Sequence, residues 1–374
     1  MAKKNKIAIA NGLIWIFQAL FGARRLKPEL LPEHEFKRIA VFSTTALGDL
    51  MFNTPAIHQL RLRYPQAKLI LFVHRKYLQM VEHYPDVDQV YEWDGRINDL
   101  LGVARQLRQN KVELAVILHS RAPYDVLCAV FGRCTAILRD DSYVNGEVPL
   151  HRWLTATSKS DFGGHVIQRK LDLLSVLGCR TDQTEMQVPC PVDRSRYTQP
   201  GTIRIGFQMG ASKPDRRWPV AHFACLAAML THERPDIRII LLGTAQEHEI
   251  EQAFLSTVEP GVLAQVESLV GKTSIRDALD AVASLNVLVT PDTGPLHLAV
   301  ALKVPTVSLF ANANAAETGP YQDAGLHRII QRPPAEKKED REVEDEMEKI
   351  RPEQVFGLLV EFCGLIPEQQ KRVI

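Results

Sequence analysis

The stretch Arg38-Ile-Ala-Val-Phe-Ser-Thr-Thr-Ala-Leu-Gly-Asp-Leu50 passes from an apolar, β-branched run into a glycine-bearing loop, and Met51–Tyr64 follows with helical apolar spacing. A short buried strand, a loop and a helix in that order open a βαβ unit. Downstream the pattern continues, with Lys68–Val73 as a strand, Ile97–Gln109 as a helix and Leu114–Leu118 as a strand. It weakens between residues 139 and 200, where a helix at His165–Leu177 is followed by the proline-bearing connection Gly178–Gly201. The alternation then restarts. Thr202–Phe207, Ile237–Leu242, Asn286–Thr290 and Thr306–Phe310 read as strands, with helices at Val220–His232, Glu247–Val258, Ile275–Ser284 and Leu296–Leu302.

These runs predict an α/β protein of two Rossmann-like domains, each a mostly parallel sheet with helices on both faces, facing a central cleft. The expected boundaries are an amino-terminal extension over 1–32, domains over 33–190 and 191–352, and a carboxyl-terminal helix over 353–374, with Pro352–Phe362 as its helical core. The charged run Glu336–Lys349 lacks apolar periodicity and reads as a solvated loop or exposed helix. A ligand belongs at the carboxyl ends of the strands.

Composition narrows the function. The 374 residues are 45% hydrophobic and 24% charged, which excludes a disordered chain or a disulfide-stapled miniature. Lys plus Arg (45) nearly equal Asp plus Glu (44), so there is no basic field for a dedicated nucleic-acid binder, and any anion must be held locally. Cys128, Cys134, Cys179, Cys190, Cys225 and Cys363 form no C-x-x-C pair and read as free thiols of a reducing compartment. Gly271-Lys-Thr-Ser274 imitates the end of a P-loop, but Val266 stands where that motif needs a glycine. No G-x-G-x-x-G follows the first strand, and His248-Glu249 lacks the second His of a zinc protease. No metal and no cofactor are expected.

Residues 1–28 differ from the rest. Lys3, Lys4 and Lys6 precede the apolar run Ile7–Phe21, and Arg24, Arg25 and Lys27 close it. The run is short for a spanning helix and is interrupted by Asn11 and Gln18. Two readings stand: a helix in the interface of an anionic leaflet, dispensable for the catalytic domains, or a helix packed on the protein's own surface.

Three loops after strands carry the chemistry. In Ser43–Leu50, Gly48 allows close approach of a ligand to the backbone, Thr45 shares the loop, and Asp49 stands at a helix start, as a base or only as a cap. In Thr290-Pro-Asp-Thr-Gly-Pro-Leu-His-Leu-Ala299, Asp292 and Thr293 can cap, Gly294 leaves room, and His297 points from the first turn toward an anion on the free amides. In Gly210-Ala-Ser-Lys-Pro-Asp-Arg-Arg-Trp-Pro219, Ser212, Lys213, Arg216 and Arg217 can meet a diphosphate, and Trp218 with Pro219 starts a helix.

This constellation resembles the heptosyltransferase family of bacterial lipopolysaccharide synthesis, inverting GT-B glycosyltransferases of family 9. The resemblance runs from about 37 to 363 and rests on Leu47-Gly-Asp49 with Asn53-Thr-Pro55, Gly210-Ala-Ser212 with Arg217-Trp-Pro219, Gly271-Lys-Thr273, and Asp292–Ala299. Val304–Phe310 and Thr318–Tyr321 continue it in order. It implies a nucleotide-sugar donor, typically ADP-heptose, held by the second domain, and a lipid A-linked oligosaccharide acceptor held by the first. Asp49 would be the general base, with Thr45 and Gly48 on the acceptor side. Ser212, Arg216, Asp292, Thr293, Gly294 and His297 would bind donor diphosphate and sugar. Glu247 would hold the ribose, with Glu249 an alternative.

The family pattern is broken where Arg216 replaces a usual Lys, Pro291 a frequent Asn and Ala311 a common Gly. The cysteine usage and the resemblance imply a cytoplasmic enzyme, residues 1–28 with a lipid-linked acceptor point to peripheral contact with the inner membrane, and the balanced charge implies no nucleic-acid partner. Another nucleotide sugar, an epimerase or a non-catalytic binding protein of this fold are the alternatives.

Overall fold

The computed structural model describes residues 3–22, 25–140, 150–157, 164–333 and 346–362. Arg24, Cys363 and residues 336–345 of the charged run lie outside these, as do the side chains of Lys3 and Lys4. The chain divides into two compact units, Met1–Cys190 and Pro191–Ile374.

In the first unit the strands are β1 (Arg38–Ser43), β2 (Lys68–Val73), β3 (Gln89–Glu92), β4 (Leu114–His119), β5 (Ala136–Arg139) and β6 (Ala156–Thr157). All pair in parallel, in the order β3-β2-β1-β4-β5-β6. Its helices are α1 (Lys3–Phe21), α2 (Leu47–Arg63), α3 (Leu78–Val81), α4 (Leu100–Gln109), α5 (Tyr124–Phe131) and α6 (Val166–Leu174). The central strands are buried on both faces, which is why Ile39–Phe42 and Leu114–Leu118 read as unbroken apolar runs without alternation.

The second unit repeats the plan. Its strands are β7 (Ile203–Gln208), β8 (Ile237–Leu242), β9 (Val266–Ser268), β10 (Val287–Pro291), β11 (Thr306–Phe310) and β12 (His327–Gln331). Its helices are α7 (Val220–Glu233), α8 (His248–Thr257), α9 (Pro260–Leu263), α10 (Ile275–Ala283), α11 (Gly294–Ala301), α12 (Ala315–Thr318) and α13 (Pro352–Phe362). The parallel order is β12-β11-β10-β7-β8-β9. Counted within its own unit, that is the same doubly wound order as the first, so both halves are Rossmann-like. The order reverses between β1 and β4, and again between β7 and β10. At such a reversal the loops leave toward opposite faces of the sheet and open a crevice at the strands' carboxyl ends.

Each unit also absorbs a terminal helix. On α1, Ile7, Ala10 and Ile14 are buried in the first unit's core, Phe17 lies 4.8 Å from Phe131, and Asn11 Oδ1 accepts from Trp153 Nε1 at 2.5 Å. Ile9, Leu13, Ile16 and Leu20, on the opposite side, remain exposed. The segment is therefore a packed helix that keeps a second apolar face, and the expectation that the domain does not need it is corrected. No described helix is long and apolar enough to cross a membrane.

Val355 and Leu359 of α13 are likewise buried in the second unit's core, and the end of the charged run, at Met347 and Ile350, is buried with them rather than solvated. Trp218 does not start α7; it is buried there, donating its indole N–H to the Ile350 carbonyl at 2.8 Å. Among the described cysteines, Cys128, Cys134 and Cys179 are buried free thiols, with burial pushing Cys134 and Cys179 up to about 12; Cys190 is also buried, whereas Cys225 is exposed.

Candidate active site

Both strand-order reversals carry the chemistry-bearing loops. In the first unit α2 begins at Leu47, four residues earlier than the apolar spacing predicts, with Ala46 as N-cap. Asp49 is thus the third helical residue, not the cap, and its Oδ2 accepts from the Ala46 backbone N–H at 3.1 Å. Gly48 lies inside the first turn and has no positive φ, so a tight turn is not what calls for glycine there. Thr45 is half-buried beside the carboxylate.

Across the reversal, the last residue of β4 brings His119 Nε2 to 3.4 Å from Asp49 Oδ1. His119 Nδ1 lies 3.2 Å from Asn53 Oδ1, and the Asn53 amide donates to Ser43 Oγ at 2.8 Å. Asn53 comes from the second turn of α2, one turn after Asp49, so both side chains share a helix face. Behind them Lys170 of α6 is fully buried, donating to Asp140 Oδ2 at 2.8 Å and to the Leu118 carbonyl at 2.9 Å.

Burial by itself would raise the Asp49 pKa. The charge that His119 carries once protonated in acid, the Thr45 hydroxyl, the Ala46 amide and the Lys170 charge together outweigh it and leave the group below its ordinary value. Burial and the Lys170 charge push His119 down to about 4 against the opposing pull of Asp49 and Asp140, so the ring is neutral at pH 7. With the Asn53 amide committed to Ser43, its oxygen accepts from Nδ1–H, and the Nε2 lone pair faces Asp49. The sequence reading missed His119 and Lys170, and named Asn53 only as part of a motif without a role. A His that closes an apolar strand has no sequence spacing to mark it, and only the strand order brings it to Asp49.

In the second unit the loop after β7 meets the loop after β10. Arg216 Nη1 donates to Asp292 Oδ2 at 2.9 Å, and His297 Nε2 lies 3.6 Å from Asp292 Oδ1. Asp292 does not cap. The N-cap of α11 is Thr293, which makes no side-chain cap hydrogen bond and instead pairs its hydroxyl with Thr290 at 3.0 Å. The first-turn amides of α11 are therefore not closed off by their cap residue.

Gly294, the first helical residue, has no positive φ. His297 is buried in that first turn, leaning back toward Asp292 as helical side chains do. The Asp292 carboxylate thus lies between the Arg216 guanidinium and the His297 ring. Arg217 is engaged otherwise, donating to the Ala211 carbonyl at 3.1 Å, and Ser212 is exposed on the loop.

Glu247 ends the short turn after β8. Its Oε2 accepts from Thr244 N and Oγ1 at 2.5 and 2.9 Å, and its Oε1 from Gln208 Nε2 at 2.8 Å. A Cβ at Gly210 would fall 1.8 Å from Glu247 Oε1, which explains the glycine. Glu249, two residues on, is exposed. Gly271, at φ +66, packs against His248, while Ser274 caps α10 with Asp277, so the P-loop imitation is a helix cap.

Four of the proposed donor residues, Arg216, Asp292, Thr293 and His297, thus gather at one reversal. Glu247 stands on the neighbouring strand's loop, and Asp49 with Thr45 at the other unit's reversal.

Residues 103–350 match the family model described as glycosyltransferase family 9 (heptosyltransferase). These residues include the donor-side loops and His119 but not Asp49. Lipopolysaccharide heptosyltransferase 2 of Salmonella typhimurium is 34% identical over 128 residues, covering 34% of this chain and 36% of that protein. The matched stretch is thus little more than a third of that relative's length. Lipooligosaccharide heptosyltransferase 2 of Campylobacter jejuni is 21% identical over 293 residues, 76% of this chain and 84% of that protein. The solved structure of Escherichia coli ADP-heptose lps heptosyltransferase II is similar in fold, with a TM-score of 0.72 at 22% identity, covering 87% of this chain and 98% of that one.

Proposed function

The chain belongs to glycosyltransferase family 9, and from that premise we propose that it transfers a heptose, with inversion, from ADP-heptose to the lipid A-linked core of lipopolysaccharide. The observation that carries this reading is the Arg216–Asp292–His297 cluster at the uncapped start of α11, a setting for a diphosphate at a Rossmann reversal.

The first unit would hold the acceptor and the second the donor. The acceptor hydroxyl gives its proton to Asp49, its oxygen bonds to the anomeric carbon, and the bond from that carbon to the diphosphate breaks with its electron pair leaving on ADP. Arg216 and the first-turn amides of α11 meet the negative charge that develops there, while Glu247 holds the ribose and Ser212, Thr293 and Gly294 line the phosphates. The protonated Asp49 then donates to the Nε2 lone pair of neutral His119, which stabilises the form that the helix start disfavours. The acceptor is membrane-anchored, and we infer that the enzyme works at the cytoplasmic face of the inner membrane in peripheral contact with it.

Incubation with ADP-heptose tests the reading. A transferase releases ADP only when acceptor is added. Turnover without acceptor would indicate an epimerase, and binding without turnover a non-catalytic protein; either result overturns the proposal.

A further inference from the structure

The amino terminus is set apart in charge. Residues 1–28 hold six of the 45 cations and none of the 44 carboxylates, so the remaining 346 residues carry an excess of acid. On α1 the exposed face is apolar from Ala8 to Phe21. Ile9, Leu13, Ile16 and Leu20 recur at helical spacing and are 46–72% exposed, and Trp15 beside them is 67% exposed. A helix with one face in a protein core and the other bare leaves a lipid interface as its natural surroundings.

At the carboxyl end of the same helix a cavity of about 310 Å³ opens, lined by Phe17, Phe21, Arg25, Arg133 and Trp153 among others. The Arg25 guanidinium lies 5.1 Å above the Trp153 ring and donates to the Arg152 carbonyl, and that of Arg133 lies 5.6 Å from the Phe21 ring. Arg108 reaches the same region, 5.6 Å from the Phe17 ring, donating to the Phe131 carbonyl at 2.5 Å. Among the described residues these guanidiniums are held over rings and by carbonyls, not by carboxylates. Stacking fixes the plane of a guanidinium and leaves edge N–H donors for an oxyanion, the geometry that suits a phosphate.

We propose that α1 docks the protein on the bilayer by its outer apolar face and that the Arg25–Arg133 cavity seats the phosphate of an anionic phospholipid. This rests on the reading that the enzyme works at the membrane surface, and it names the lipid class and the residues that take it. Ile16, Leu20 and Trp15 would enter the boundary between headgroups and acyl chains, which brings the helix end and its two arginines to headgroup depth.

The test uses the full chain and co-sedimentation with vesicles of phosphatidylcholine alone or mixed with phosphatidylglycerol. Binding is expected only to the mixture and should weaken as salt rises. Arg25→Gln with Arg133→Gln should weaken it by about fivefold per arginine, and Ile16→Ser with Leu20→Ser by about tenfold or more. Should the arginine pair lower the melting temperature, Arg133→Glu alone, at an exposed residue, reads the same loss.

If the arginine variants bind the mixture as well as the parent while the serine variant does not, the headgroup cavity is overturned and the membrane reading stands. No binding of the parent to either vesicle overturns both. Calorimetric binding of inorganic phosphate that vesicles do not displace would mark a free-phosphate site and overturn the lipid assignment.

Discussion

A carboxylate in the first turn of a helix is held in its charged form by the local amides, which weakens it as a base. Asp49 is in that position, and the feature that offsets it is a neutral imidazole whose lone pair is aimed at the carboxyl. Asp49→Ala is expected to abolish transfer and leave donor affinity nearly unchanged, since the base acts in the transition state and the donor is assigned to the other unit. Steady-state rates beside nucleotide calorimetry read both; a parallel loss of binding would remove Asp49 from the role.

His119→Gln should lower kcat by about tenfold or more with little effect on donor KM. It also changes acid stability, for a reason that fixes the sign. The ring titrates at about 4 when folded and near 6.5 when unfolded. As pH falls through that window the unfolded chain takes a proton the fold refuses, and stability is lost. The urea midpoint of the parent should fall from 6.5 toward 4, and His119→Gln should flatten part of that fall. His327, which burial also lowers to about 4, and His74, which burial likewise lowers, contribute to the remainder. Asp49 was legible in the sequence because glycine and aspartate after a strand are a familiar signal. His119 was not, because one His ending an apolar strand has no spacing to mark it.

At the scale of elements, legibility followed burial. Central strands such as β2, at Lys68–Val73, are apolar on both faces and stand out at their true limits. Short edge strands do not: β3 is only half-buried, β6 has two residues, and β12 alternates weakly. The helix α5 escaped for the opposite reason, since Val126–Val130 are all buried and no polar face gives it a period.

The sequence offered the start of α11 as a candidate anion site, but its wiring was not legible. Sequence suggested Asp292 as a cap, whereas its carboxylate lies between Arg216 and His297, and only the reversal of strand order brings those loops together. Arg216→Ala and His297→Ala are each expected to weaken ADP binding by about ten- to a hundredfold, the worth of a charge-assisted hydrogen bond. Unaltered calorimetry in both would remove the site. In the same unit Leu359→Ala should cost about 2–5 kcal/mol by chemical denaturation, because α13 is part of the core rather than an appendage.

For the molecule as a whole, the two units share one strand order yet end differently, and each enlists a helix from its own terminus to complete its core. In the first unit that helix has a double commitment, and its two faces can be separated experimentally. The inner face contributes Ile7, Ala10 and Ile14 to the core and gives Trp153 its indole partner. Burying each isoleucine is worth about 1.5–3 kcal/mol, so deletion of residues 1–28 strips several kcal/mol from the unit and bares the surface of α5. In a unit of this size each kcal/mol shifts the melting temperature by about 2–4 °C, so the truncated protein should melt about 10 °C lower in scanning calorimetry. Leu20→Ser, on the outer face, should leave the melting temperature where it was. A truncated chain that melts with the parent would show that the inner face adds nothing to stability, and loss of vesicle binding on deletion could then be assigned to the outer face without the confounding effect of a weakened fold.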